Sequence, residues 1–231
     1  MNYGIILLGG ESLRTSTYLP KQYFIIKGKE VFLYSFEIFL KNPNIHKILL
    51  VANEEYVDFV RIKLLNYKTN KEINVIKGGY NRQDSSFLAL NYIKTHENDL
   101  NSINVFIHDA ARPLLTTKVL NSIIEASKTH PAITTYFPIY DSLCTSKNLN
   151  TIDGYRIRKE TFSIQTPQAF NFNLIYNAHI KAINEKWQNI NDDSVLIKKS
   201  GKEVYLVLGD RLNFKITTLD DLFLINRIIG D

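Results

Sequence analysis

The sequence predicts an α/β protein built on a doubly wound, mostly parallel sheet. Short apolar runs of strand length alternate with segments of helical period through the first half of the chain. The runs are nearly unbroken, as in strands buried on both faces, and each ends in a cluster of glycine or charged residues. In sheets of this kind ligands bind beyond the carboxyl ends of the strands, so those clusters are where function is sought.

Composition narrows the class. With 231 residues, 45% of them hydrophobic and 22% charged, the chain is read as a single globular domain over residues 1–231. No apolar run approaches the roughly 18 residues of a membrane span. No basic segment followed by an apolar core opens the chain, so a cytoplasmic protein is expected, with no membrane partner. Cys144 is the single cysteine, which excludes an intramolecular disulfide and a cysteine-based zinc cluster. The formal charge of +5 is spread along the chain without a basic block, so a small anionic substrate accounts for it better than a nucleic acid.

Taken in order, Tyr3 to Leu8 is the first strand, and Gly9-Gly10 ends it. Phe32, Phe36, Phe39 and Leu40 recur at helical spacing before the stop at Asn42-Pro43-Asn44. Ile48 to Ala52 is a second buried strand, and Tyr56 to Leu65 returns to a 3.6-residue period. Ile73 to Ile76 is a strand ending at Gly78-Gly79, with a helix carrying Phe87, Leu90 and Ile93 after it. Val105 to Ile107 is another strand, and Thr116 is placed to cap the helix of Val119, Leu120, Ile123 and Ile124. Ala132 to Ile139 is a strand, whereas 140–160 is polar, unpatterned and too long for a simple connection. That segment is expected to be an arm that covers the site or pairs with another subunit. A helix over Leu174 to Ile183, strands over Val204 to Leu208 and Asn213 to Thr217, and a helix over Asp220 to Ile229 complete the chain.

The stretch from Leu8 to Tyr23 carries the first chemical signal. Gly9 and Gly10 let the backbone turn tightly and approach an anion, and Arg14 and Lys21 bring two cations to the same strand mouth. Ser12 and Leu13 stand where a dinucleotide fingerprint needs glycine, and no Gly-Lys-Ser/Thr follows, which speaks against dinucleotide oxidoreductases and P-loop NTPases. A second signal is His108-Asp109-Ala110-Ala111-Arg112-Pro113 at the tip of a central strand. Asp109 there can hold Mg²⁺ or a substrate hydroxyl and Arg112 can grip a phosphate; an Asp–Arg pair bracing the turn is the plainer alternative. His108 has no second histidine at metal-ligand spacing and is read as structural. No Gly-x-Ser-x-Gly elbow supports a hydrolase.

Five motifs occur together in one order: Leu7-Leu8-Gly9-Gly10 with Arg14 and Pro20-Lys21-Gln22-Tyr23; Gly78-Gly79 with Arg82-Gln83-Asp84-Ser85; His108 to Pro113; Gln165 to Phe170; and Asn213 to Thr218. In this the sequence resembles the 2-C-methyl-D-erythritol 4-phosphate cytidylyltransferases of isoprenoid synthesis over nearly its whole length. The resemblance implies a GT-A-like nucleotidyltransferase fold, CTP and a polyol phosphate as substrates, Mg²⁺, and a homodimer whose arms reach across to the partner. It also implies roles. Arg14 and Lys21 would stabilise the transition state at the α-phosphate, and Leu8, Gly9, Gly10, Gly79, Arg82 and Ser85 would hold CTP. Arg158 and Lys215 would position the acceptor phosphate, with Asp109, Arg112, Ser142 and Thr166 completing the acceptor side and Asp109 a metal ligand.

The chain departs from the family pattern at Ser12 in the loop, at Ser142 after Asp141 and at Asn191 before Asp192-Asp193. It also resembles the ribitol-5-phosphate cytidylyltransferases. Ala111, the Arg82-to-Ser85 run and the step from Arg14 to Pro20 are more similar to the isoprenoid enzymes. A catalytically silent nucleotide-binding protein on the same fold is the remote alternative, against which the joint presence of Arg14, Lys21, Arg158 and Lys215 speaks. Cations without a catalytic histidine suit phosphoryl chemistry, because a phosphate monoester with a second pKa near ~6 is already an ionised nucleophile at neutral pH.

Overall fold

The computed structural model describes residues 1–9, 19–188 and 190–230. The elements in chain order are β1 (Asn2–Leu7), β2 (Ile25–Ile26), β3 (Lys29–Glu30), α1 (Val31–Lys41), β4 (Lys47–Ala52), α2 (Val57–Leu64), β5 (Glu72–Lys77), α3 (Arg82–His96) and β6 (Asn104–Asp109). There follow α4 (Thr117–Ala126), β7 (Ala132–Pro138), β8 (Cys144–Thr145), β9 (Gly154–Tyr155), β10 (Phe162–Asn171), α5 (Phe172–Asn184), α6 (Asp193–Lys199), β11 (Tyr205–Leu208) and α7 (Leu219–Gly230). Seven strands form one sheet in the order β11-β7-β10-β6-β1-β4-β5. All neighbours run parallel except β10, which is antiparallel to both β6 and β7. The doubly wound, mostly parallel expectation holds.

Side-chain alternation along the central strands explains why both faces are covered. In β1, Ile6 faces the layer of α1, α2 and α4, where Phe32, Phe36 and Phe39 pack with Leu50 and Phe106. Its neighbour Ile5 faces α3, α5 and α6, packing with Leu49, Leu90, Ile93, Ile107 and Ile175. β1 therefore needs apolar residues at successive positions, which is the unbroken run seen in the sequence. Thr116 caps α4 as expected, its Oγ1 accepting from Val119 N at 3.3 Å.

The second half departs from expectation in three places. β10 is the longest strand of the sheet, yet its Gln165-Thr166-Pro167-Gln168 centre carries no apolar pattern. Two of its side-chain amides donate inside the protein: Gln168 Nε2 to Thr134 Oγ1 at 2.9 Å, and Gln165 Nε2 to Asp210 O at 2.8 Å. α6 is a short helix started by Asp192, whose Oδ1 accepts from Ser194 N at 2.8 Å. The strand expected over 213–217 is not one. That segment crosses the end of β6, fixed by Ile216 N to Ala111 O at 2.9 Å, and buries Ile216 in a third small core with Ile26, Val31 and Ile225. Within 140–160 the chain forms a hairpin, β8 paired with β9, bearing exposed Leu149, Ile152 and Tyr155.

Candidate active site

A cleft of roughly 850 Å³ opens beyond the carboxyl ends of β1, β4, β5 and β6, where the fold class places ligands. Leu8 and Gly9 enter it from β1, Asn53 from β4, Gly79 and Tyr80 from the loop after β5, Asp109 and Ala111 from β6, and Lys215 from the segment crossing β6. Lys21 reaches it from a one-turn 3₁₀ helix, Lys21–Tyr23. That turn is tied to the sheet by buried Gln22, whose Nε2 donates to Leu8 O.

Gly79 has no room for a side chain. A Cβ there would lie 2.3 Å from Asp84 Cβ and 3.1 Å from the Asp84 backbone carbon. The loop therefore lies directly on the start of α3. Gly79 N donates to Ser85 Oγ at 3.1 Å, Ser85 Oγ donates to Asn81 O at 2.9 Å, and Asn81 caps the helix by accepting from Asp84 N at 2.8 Å.

Asp109 is the electrostatic centre. Its Oδ1 accepts from Arg82 Nε at 2.9 Å and its Oδ2 from Lys215 Nζ at 2.8 Å, with Arg112 Nε at 4.0 Å. Burial opposes its charge, but Arg82, Lys215 and Arg112 outweigh burial and hold the carboxyl well below the usual range. Arg82 turns its Nη1 to Asp193 Oδ2 at 2.7 Å, and the other oxygen of Asp193 accepts from Ser86 Oγ at 2.7 Å and His179 Nε2 at 3.1 Å. Behind Asp109, its backbone N–H donates to Thr166 Oγ1 at 3.1 Å. Thr166 Oγ1 lies 3.0 Å from His108 Nδ1, and His108 Nε2 lies 3.1 Å from Arg112 O. A carbonyl only accepts, so Nε2 carries the proton and Nδ1 accepts from Thr166. Burial pushes His108 down to about 4, which keeps that neutral form at pH 7.

The profile of the 2-C-methyl-D-erythritol 4-phosphate cytidylyltransferases, IspD, matches residues 3–231. The chain belongs to that family. A cytidylyltransferase of this name from Clostridium kluyveri is 34% identical over 228 residues, covering 98% of this chain and 96% of the relative. One from Clostridium beijerinckii is 35% identical, covering 95% and 94%. The crystal structure of 4-diphosphocytidyl-2C-methyl-D-erythritol synthase from Anaerococcus prevotii superposes with a TM-score of 0.84 at 25% identity, over 100% of this chain and 98% of that one. The Francisella tularensis IspD structure gives 0.81 at 26% identity, over 98% and 99%.

Against this family background the residues singled out in the sequence separate into groups. Leu8, Gly9, Lys21, Gly79, Arg82, Asp109 and Lys215 meet around one cleft. Arg14 and Gly10, with the departure at Ser12, lie outside the described residues. Three residues that the resemblance gives as ligand contacts also make hydrogen bonds within the protein. Ser85 is buried with its hydroxyl engaged by Gly79 and Asn81. Thr166 is buried between Asp109 and His108. Arg112 spends its guanidinium on Asn213 O at 2.9 Å and Ile164 O at 3.4 Å, and so braces the turn. Arg158 and Ser142 stand exposed on the arm and do not line the cleft of their own chain; Arg158 Nη1 donates to Tyr140 O at 3.3 Å. Sequence reasoning missed Asn53 and Tyr80 in the lining and Asp193, Ser86 and His179 behind Arg82. Only Asp192-Asp193 before an apolar run, a helix-start signal, hinted at the last group.

Proposed function

We propose that this member of the family transfers CMP from CTP to 2-C-methyl-D-erythritol 4-phosphate and releases pyrophosphate. The observation that supports it most is the meeting of Gly9, Lys21 and Gly79 in a single cleft with Asp109 and Lys215. The first set suits a nucleotide triphosphate and the second a phosphorylated acceptor. A phosphate oxygen of the acceptor forms a bond to the α-phosphorus of CTP while the bond from that phosphorus to the bridging oxygen breaks, and the electron pair leaves with pyrophosphate. The nucleophile is already anionic, so no base is required. What the site supplies is neutralisation of repulsion between anions, by Lys21 at the α-phosphate and Lys215 at the acceptor, and alignment of the two.

The Gly79 N–H is spent on Ser85, so a base contact at this point falls to the Gly79 carbonyl, which accepts from the cytosine amino group and repels a uracil carbonyl. CTP should then exceed UTP clearly in kcat/KM.

Mg²⁺ fits as a passenger on the triphosphate. Both Asp109 oxygens already accept charge-assisted bonds, and the described residues hold no cluster of three acidic, histidine or cysteine ligands. Mg²⁺ needs only one or two carboxylates beside phosphate and water, so Asp109 would be its protein contact, and the ion would neutralise developing phosphate charge. We place the reaction in the cytoplasm and in a homodimer, with Arg158 and Ser142 presented by the arm to the partner's cleft. No helix among the described residues is long and apolar enough to cross a membrane.

The test is pyrophosphate release from CTP with each acceptor in turn. Methylerythritol 4-phosphate should exceed ribitol 5-phosphate by at least ~100-fold in kcat/KM, the scale on which a site built for particular hydroxyls discriminates. CDP-ribitol as the main product in competition would overturn the assignment.

A further inference from the structure

We propose that Asp193 is a positioning residue for the reaction, acting through Arg82 to fix Asp109 at the acceptor side of the cleft. The inference rests on the reaction proposed above and concerns a residue that does not line the cleft.

Asp193 is 1% exposed, opens α6 and does not line the cleft. Two helices, α3 and α5, supply the partners of its carboxylate. Ser86 of α3 donates to Oδ1 at 2.7 Å, His179 of α5 donates to the same oxygen at 3.1 Å, and Arg82 of α3 approaches Oδ2 at 2.7 Å. The carboxylate is thus held by neighbours other than Arg82, which makes it a fixed point rather than a follower. Burial opposes its charge, and Arg82 and His179 outweigh burial. Arg82 is 18% exposed and uses Nε on Asp109 and Nη1 on Asp193. A planar guanidinium holding two carboxylates at once has one orientation, so the place of Asp193 dictates the place of Asp109 Oδ1. Asp109 Oδ2 then meets Lys215, whose side chain is 37% exposed toward the cleft. A displacement of Asp193 reaches the acceptor cation through two charge-assisted bonds.

Arg82 is engaged through Nε and Nη1, while its Nη2 is buried without a hydrogen-bond partner. Its guanidinium is committed to two carboxylates, and neither of those bonds can be given to a phosphate without uncovering a buried negative charge.

The experiment compares Asp193→Asn, Asp109→Asn and the double variant in pyrophosphate release, each checked for folding by its thermal transition. Asp193→Asn should lower kcat/KM for the acceptor by at least ~10-fold while the KM for CTP stays within about twofold, the scale on which outer supports of a site act. The double variant should lose no more than Asp109→Asn alone, because both substitutions break one chain of contacts. Additive losses, or a folded Asp193→Asn enzyme of full activity, overturn the inference. If Asp193→Asn does not fold, Ser86→Ala, which removes one support of the same carboxylate, should show the same split, and full activity there overturns it too. A readout free of turnover separates this from the reaction itself. The Nε–H resonance of Arg82, slowed in exchange by its bond to Asp109, should shift in Asp193→Asn or Ser86→Ala. An unmoved signal overturns the positioning role even in a protein that transfers nothing, and absence of wild-type turnover overturns only the reaction.

Discussion

At the residue scale the division is between side chains that face the cleft and side chains that hold them. Lys21 belongs to the first kind, and Lys21→Ala should lower kcat by at least ~100-fold with the fold intact, as expected for loss of an electrostatic stabiliser. Single-turnover measurement with saturating CTP checks this; a folded variant of normal rate would remove Lys21 from the α-phosphate. His108 belongs to the second kind. Buried and held neutral, with its value pushed down to about 4, it takes up no second proton in the native state between roughly pH 6.5 and 4, while the unfolded chain does. The unfolded state is therefore favoured as pH falls through that window, and stability rises with pH across it. His108→Gln keeps one donor and one acceptor, so the stability advantage of the wild type over it should shrink between pH 7.5 and pH 5 in urea unfolding. An advantage unchanged with pH would contradict the neutral assignment. Lys21 and Asp109 were legible because charge just beyond a buried apolar strand marks the mouth where this fold class binds ligands, whereas Lys215 came only with the family motif Asn213 to Thr218. The internal bonds of Ser85, Thr166 and Arg112 were not legible, because a hydroxyl or guanidinium that braces a loop reads identically in one dimension to one that binds a ligand.

At the element scale, the parallel half of the sheet was legible because burial on both faces demands the continuous apolar runs of β1, β4 and β6. β10 was not, because its centre is polar and finds hydrogen-bond acceptors such as Thr134 inside the sheet, and α6 was not, because seven residues give too little periodicity to detect. The segment over 213–217 imitates a strand: Phe214 and Ile216 alternate with polar residues, but they pack into a satellite core instead of joining a ladder. The loop between β5 and α3 gives the prediction proper to this scale. Gly79→Ala must push its Cβ out of the 2.3 Å approach to Asp84, and the obstruction includes helix backbone as well as side chain. The start of α3 or the loop has to move, and with it the carbonyl proposed to read the base. The KM for CTP should rise by roughly tenfold or more and the CTP preference over UTP should fall, in line with the cost of overpacking. A variant that keeps both values would place base recognition elsewhere.

At the scale of the whole molecule, the incomplete membership of the cleft bears on assembly. Arg158 carries a cation that the proposed acceptor site calls for, yet it stands exposed on a hairpin outside the cleft of its own chain. The same arm exposes Tyr140, Leu149, Ile152, Tyr155 and Ile157, with Leu149 91% and Tyr155 72% accessible, an apolar load that a free hairpin gains nothing by carrying. Both features are accounted for at once if two copies exchange arms about a two-fold axis, each lending Arg158 to the other's site. Deletion of 140–160 should then give a monomer by light scattering, but a monomer alone does not show that Arg158 works in the partner. Mixing does. Lys21→Ala and Arg158→Ala are each expected to be nearly inactive as homodimers. In a dimer of one subunit of each kind, Lys21 of the Arg158→Ala chain meets Arg158 of the Lys21→Ala chain in one site, which is intact, while the other site lacks both. If subunits exchange at random, half of the dimers are mixed and one site in two of these works, so the equimolar mixture should recover about a quarter of wild-type activity. If Arg158 served its own chain, every site in the mixture would lack one cation, and no activity would return at any mixing ratio.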